Sequence, residues 1–157
     1  MTKRVYLETT IASYLAAWPS RDLVQAARQQ ITHEWWNTQR REYDLCISEI
    51  VLDEAAGGDA DAARRRLPFL QALPLLDLTE AVNDVAKAIM ASGLLPPKAT
   101  RDAIHIAASS VHGVDILLTW NCRHIANAAI MKELRTIVAN CGYEMPIPCT
   151  PEELLGD

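Results

Sequence analysis

Long hydrophobic runs are missing from this chain. Its longest apolar stretches fall far short of the roughly 20 residues that a membrane-spanning helix needs, so no membrane contact is expected. No signal-peptide pattern stands before the first strand-like segment, which follows Met1–Thr2–Lys3–Arg4 at once, and a cytoplasmic protein is expected. Paired cysteines are missing too. Cys46, Cys122, Cys141 and Cys149 form no CxxC pair, which argues against a structural zinc site or a disulfide frame. There is no surplus of basic residues: 15 Lys and Arg face 20 Asp and Glu, for a net charge of −5. Strong nonspecific nucleic-acid binders carry a basic footprint, so that class is disfavoured. Local runs such as Arg40–Arg41 and Arg64–Arg65–Arg66 remain open to phosphates, although such runs are commonly solvated helix faces. Repeats, low-complexity segments and an interdomain linker are absent, and 157 residues suffice for one substantial core. A single domain over 1–157 is expected.

What is there is an alternation of short apolar runs with longer helical ones, the signature of α/β architecture. Strands are expected near 4–8, 44–47, 74–78, 115–119 and 146–149. A long helix is expected from Asp22 to Arg41, with an apolar stripe of Leu23, Ala27, Ile31 and Trp35. A shorter helix from Ser48 or Glu49 stops at Gly57–Gly58, and Pro68 ends or kinks the helix that starts at Asp59. Further helices are expected from Thr79 to Gly93, from Thr100 to Gly113 and from about Ala126 to Asn140. Thr150–Pro151–Glu152–Glu153 is a capping box with proline at the first helical position.

Three acidic residues far apart in sequence stand where this pattern could gather them. Glu8 ends the run Val5–Tyr6–Leu7. Glu54 lies in a helical segment just after Leu45–Cys46–Ile47, and Asp102 opens the helix Asp102–Ala103–Ile104–His105–Ile106–Ala107. Asn121 follows the run Ile116–Leu117–Leu118–Thr119. In an open parallel sheet, ligands collect outside the carboxyl ends of the strands. Carboxylates gathered there suit a hard divalent cation, which takes oxygen ligands. Thr9, Thr10 and Thr119 are placed to orient those carboxylates. Each acid also has a plainer use: Glu8 as a cap of the next helix, Glu54 on a solvated face, Asp102 as a first-turn partner of the helix dipole. Glu49, Asp53 and Asp115 read as surface or turn residues. His105 lies one turn beyond Asp102 and reads as a satisfied, partly buried histidine or as a partner for that carboxylate. Arg123 and His124 are open to RNA contact, and Trp120 is the best-placed ring to stack on a base.

The order of these motifs resembles the PIN-domain family, in particular the VapC-type toxin ribonucleases of toxin–antitoxin modules. The resemblance runs from Val5 to about Ile125 and rests on four motifs: Val5–Tyr6–Leu7–Glu8–Thr9–Thr10, Ile47–Ser48 leading to Glu54, Asp102–Ala103–Ile104–His105–Ile106–Ala107, and Leu117–Leu118–Thr119–Trp120–Asn121. It implies a PIN-like three-layer α/β/α fold with a central, mostly parallel sheet of four to five strands. It also implies hydrolysis of single-stranded RNA, an Mg²⁺ or Mn²⁺ ion at Glu8, Glu54 and Asp102, and Asn121 as the fourth catalytic group. A homodimer and a small antitoxin partner are implied as well. Two positions depart from the family pattern. Glu8 stands where an aspartate is usual, and Asn121 where a fourth acid is usual, which leaves three carboxylates. The alternative reading is a PIN-like RNA- or protein-binding module with weakened or lost nuclease activity. A small phosphatase is disfavoured, because Glu8–Thr9–Thr10 lacks an Asp-x-Asp nucleophile motif.

Overall fold

The computed structural model describes residues 2–156; Met1 and Asp157 lie outside them. Five strands form one sheet in the order β3-β2-β1-β4-β5, every pair parallel. They are β1 (Arg4–Leu7), β2 (Asp44–Ser48), β3 (Leu75–Leu76), β4 (Ile116–Leu118) and β5 (Ile147–Cys149). The α/β class and the count of four to five strands are both met. Val5, Tyr6, Leu7, Ile116, Leu117 and Leu118 are all buried, so the two central strands read as unbroken apolar runs rather than alternating ones. Seven α-helices flank the sheet among the described residues: α1 (Thr9–Ala16), α2 (Leu23–Thr38), α3 (Glu49–Ala56), α4 (Ala60–Arg66), α5 (Glu80–Ala91), α6 (Thr100–Val111) and α7 (Ala128–Asn140). None of them is long and apolar enough to cross a membrane.

The strand order decides where a ligand can sit. The chain runs outward from β1 to β2 to β3, then returns across β1 to β4 and β5. Parallel crossovers are right-handed, so this reversal puts the helices of the two halves on opposite faces. A crevice is left between the carboxyl ends of β1 and β4, where the order switches. Glu8 directly follows β1 and Thr119 directly follows β4. The backbone N–H of Glu8 donates to the Leu118 carbonyl at 3.0 Å, which fixes the two strand ends side by side.

Local signals set most helix ends. Asp22 caps α2 by accepting from the Gln25 N–H at 2.9 Å, and Asp59 caps α4 by accepting from Ala62 at 3.0 Å. Pro68 lacks the N–H a longer helix would need, so α4 stops at Arg66 and a single 3₁₀ turn, Leu67–Phe69, follows. Gly113 adopts φ 66° after α6, a conformation costly for a side chain. The helix expected over Asp22–Arg41 is shorter than the sequence pattern, and its stripe is only partly a core face. Trp35 is fully buried against Tyr43, whereas Leu23 and Val24 stand 87% and 61% exposed. Apolar periodicity marks a face; whether a neighbour covers it depends on where the helix starts relative to the body. The Thr150 box forms, with its N–H donating to the Glu153 carboxylate at 2.8 Å, but it opens a 3₁₀ turn over Pro151–Leu154.

Candidate metal centre

Glu8 caps α1 and directly follows β1, and the two placements do not compete. Its Oε2 accepts from the Thr10 N–H at 3.2 Å, which is the cap. Its Oε1 accepts from two hydroxyls, Thr10 Oγ1 at 2.5 Å and Thr119 Oγ1 at 2.6 Å. Both hydroxyls already accept a backbone N–H: Thr10 from Trp120 at 2.9 Å, Thr119 from Asn121 at 2.9 Å. A hydroxyl has one proton, and here each proton is left for Glu8. The carboxylate is therefore held from below by groups with fixed direction.

Glu54 approaches from α3. Its Oε1 accepts from Thr9 Oγ1 at 2.7 Å and faces His105 Nε2 at 2.5 Å. The three expected threonine supports are thus all made, Thr9 to Glu54 and Thr10 and Thr119 to Glu8. Ligand atoms of Glu8, Glu54 and His105 lie within 4.8 Å of one another. Glu8 and Glu54 line an open cleft of about 540 Å³, together with Arg66 and Arg101.

The charges in this cluster are unevenly compensated. Glu8 is only 4% exposed and forms no ion pair among the described residues. Burial pushes its carboxyl above the ordinary range, against the opposing pull of the His105 charge and the Thr10 and Thr119 hydrogen bonds. For Glu54, burial also acts upward, but the His105 hydrogen bond and charge, Thr9 and Arg101 outweigh it and hold the carboxyl low. A buried carboxylate without a cation is costly, and a bound cation removes that cost. The donor set fits a hard ion: both carboxylates are oriented through Oε1, and Glu54 Oε2 accepts no hydrogen bond among the described residues.

Asp102 and Asn121 stand beside this cluster in a different arrangement. Asp102 Oδ2 bonds His124 Nδ1 at 2.8 Å. Asn121 Oδ1 accepts from the N–H groups of Arg123 at 3.2 Å and His124 at 3.0 Å, closing a turn after β4. Hydrogen bonds link Asp102 through His124, Asn121 and Thr119 to Glu8. Glu54 bonds His105, which shares α6 with Asp102. The carboxylates of Glu8 and Glu54 are brought together; Asp102 is tied in through its histidine.

Several other expectations change. His105 is a satisfied histidine as expected, but fully rather than partly buried, and its carboxylate partner is Glu54, not Asp102, because α3 and not its own preceding turn faces its ring. His124 is the partner of Asp102 instead. Trp120 is buried, its indole N–H donating to Thr32 at 2.8 Å, and so offers no open stacking face. The arginine run is spent on the protein itself: Arg64 pairs with Asp61, Arg65 bonds the Ala16 carbonyl, and Arg66 bonds the carbonyls of Ala55 and Gly57. Arg101, which the sequence did not single out, is the exposed cation of the cleft. Its only signal was its place next to Asp102.

No protein-family model and no curated protein matches the sequence. Among solved structures, the chain is similar to one in the crystal structure of VapBC2 from Rickettsia felis bound to a DNA fragment from their promoter. The TM-score is 0.53 at 15% identity, over 94% of this chain and 98% of that one. The likeness is one of fold, and it supplies the PIN-like architecture that the motif order implied.

Proposed function

We propose that this chain is a single PIN-like domain that hydrolyses single-stranded RNA with Mg²⁺ or Mn²⁺, as the cytoplasmic toxin of a toxin–antitoxin module. One observation carries the reading: Glu8, buried and without an ion pair among the described residues, sits against Glu54 at the switch point of a parallel sheet. Glu8, Glu54 and Asp102 would hold the ion, with Asn121 beside it. A divalent cation there supplies charge against the phosphate oxygens and makes an attacking water more acidic. The protein's own part is to fix both glutamates through threonine hydroxyls and to set Arg101 in the cleft as a phosphate contact. Trp18 in the loop before α2 is exposed, as are Leu23 and Val24 at its start, and the three would give a small antitoxin an apolar surface. A homodimer is part of the same proposal.

The test is cleavage of a labelled, unstructured RNA. Hydrolysis is expected with Mn²⁺ or Mg²⁺, is abolished by EDTA and returns on adding the metal. Cleavage that persists in EDTA would overturn the metal-dependent reading. A second reading, a binding module with lost nuclease activity, draws on the pairing of Asp102 with His124 and on the uncharged Asn121. Mn²⁺ binding without turnover on any single-stranded RNA would favour it.

Asn121→Asp probes the fourth position. Either oxygen of an aspartate can accept the Arg123 and His124 N–H groups, so the turn survives. The added charge is expected to tighten Mn²⁺ binding measured by calorimetry. Unchanged affinity would place Asn121 outside the centre.

A further inference from the structure

We propose that His105 is not a ligand of the metal centre but the positioning residue of Glu54, and that Tyr6 and Ser48 hold its ring in place. The inference rests on the metal-centre reading and names three residues that the motif comparison leaves without a role. His105, Tyr6 and Ser48 are each fully buried. The Tyr6 hydroxyl lies 2.7 Å from Ser48 Oγ and 2.7 Å from His105 Nδ1. On the far side of the ring, Nε2 lies 2.5 Å from Glu54 Oε1. The three side chains come from β1, the end of β2 and α6, so the chain of contacts ties the centre of the sheet to the helix above it.

Spacing alone would allow His105 to bind an ion together with Glu8 and Glu54, since their ligand atoms lie within 4.8 Å. Donor bookkeeping argues against it. An ionised carboxylate only accepts, so the contact between Nε2 and Glu54 requires the ring proton on Nε2. That nitrogen then has no lone pair for a metal. The other nitrogen is occupied by Tyr6, away from the cleft. Either direction of the Tyr6–Nδ1 bond leaves the Nε2–H donation to Glu54 unchanged. The carboxylate therefore stands between the imidazole and the cleft. Its Oε1 is filled by Thr9 and His105, and Oε2 is the atom left for a cation. An oxygen-only set follows, which selects a hard ion over zinc or nickel.

Pulsed EPR of the Mn²⁺-loaded protein is expected to show no directly coordinated ¹⁴N coupling; a strong coupling would overturn the proposal. Residues that orient a ligand typically change metal affinity about 10–100-fold when removed. His105→Leu is expected to weaken Mn²⁺ binding within that range. His105→Gln, whose amide N–H reaches a similar point, should recover most of the loss, a rescue that a packing role alone would not produce. Tyr6→Phe keeps the ring and removes the hydroxyl, and a loss of about 10-fold is expected. Wild-type affinity in both His105→Leu and Tyr6→Phe would also overturn it. If His105→Leu fails to fold, ¹⁵N NMR of histidine in the metal-free wild type decides. The proton is expected on Nε2, and Tyr6→Phe should move mainly the Nδ1 resonance; an unprotonated Nε2 would end the proposal. A wild type that binds no Mn²⁺ would remove the metal reading, while the NMR result would still decide whether His105 holds Glu54.

Discussion

In Glu8→Gln, Mn²⁺ affinity is expected to fall by more than about 100-fold, beyond the range of a merely orienting neighbour, and RNA cleavage is expected to fall with it. The substitution keeps the shape and an oxygen for the Thr10 and Thr119 hydroxyls and removes the charge together with the acceptor for the Thr10 N–H. A second signature comes from the metal-free protein. Burial raises the Glu8 carboxyl above its ordinary value of 4.5. An acid raised on folding holds its proton longer in the folded state than in the unfolded one. Its stabilising contribution is complete below 4.5 and is lost as the pH rises through the folded value. Glu54 behaves oppositely: it is held low, so its contribution is present above 4.5 and is lost only as the pH falls. The buried thiols of Cys46 and Cys149, pushed up to about 11 and about 12, act only above their ordinary value of 9.0. Between 4.5 and 9.0, then, Glu8 is the shifted group that makes metal-free stability decline. Urea unfolding across this range should show the decline in wild type and a flatter profile in Glu8→Gln. Mn²⁺ should protect the wild type more strongly as the pH rises, because it binds the ionised form. An unchanged pH profile in the variant would mean that Glu8 is not the buried charge of this site.

Asp102→Asn is expected to lower both Mn²⁺ affinity and RNA cleavage by about 10-fold or more. The amide oxygen still accepts from His124 Nδ1, so the geometry at the start of α6 is kept while the charge is removed. Asp102→Ala removes both, and comparison of the two variants separates the effect of charge from that of holding the histidine. Calorimetry on the three proteins is the direct measurement. Wild-type affinity in Asp102→Asn would reduce the centre to Glu8 and Glu54 and leave Asp102 as the anchor of His124.

The two variants differ in what the sequence could say about them. Glu8 was legible as an acid at a strand end, because an apolar run followed by a capping position is a local pattern. The same holds for the five strands, for α5 with Val82, Val85, Ala86 and Ile89 inward, and for the stop at Pro68. These features depend on side-chain period and on backbone dihedrals within a few residues, which a sequence displays directly. The parallel α/β class followed from the alternation of such segments.

The threonine partners of the acids were legible as a set, but which acid each long-range partner takes was decided by the tertiary structure. Thr119 reaches Glu8 across 111 positions, His105 reaches Glu54 across 51, and His105 meets Tyr6 across 99. Nothing local distinguishes His105 as a neighbour of Asp102 from His105 as a neighbour of Glu54; the packing of α3 against α6 makes the choice. The same holds for Trp120, whose position after a strand suggested an open ring, and whose indole is enclosed once α2 brings Thr32 over it. Strand order set the final feature. Because β1 and β4 are adjacent, two strand ends separated by more than a hundred residues share one crevice, and the carboxyl group of Glu8 is buried there beside Glu54.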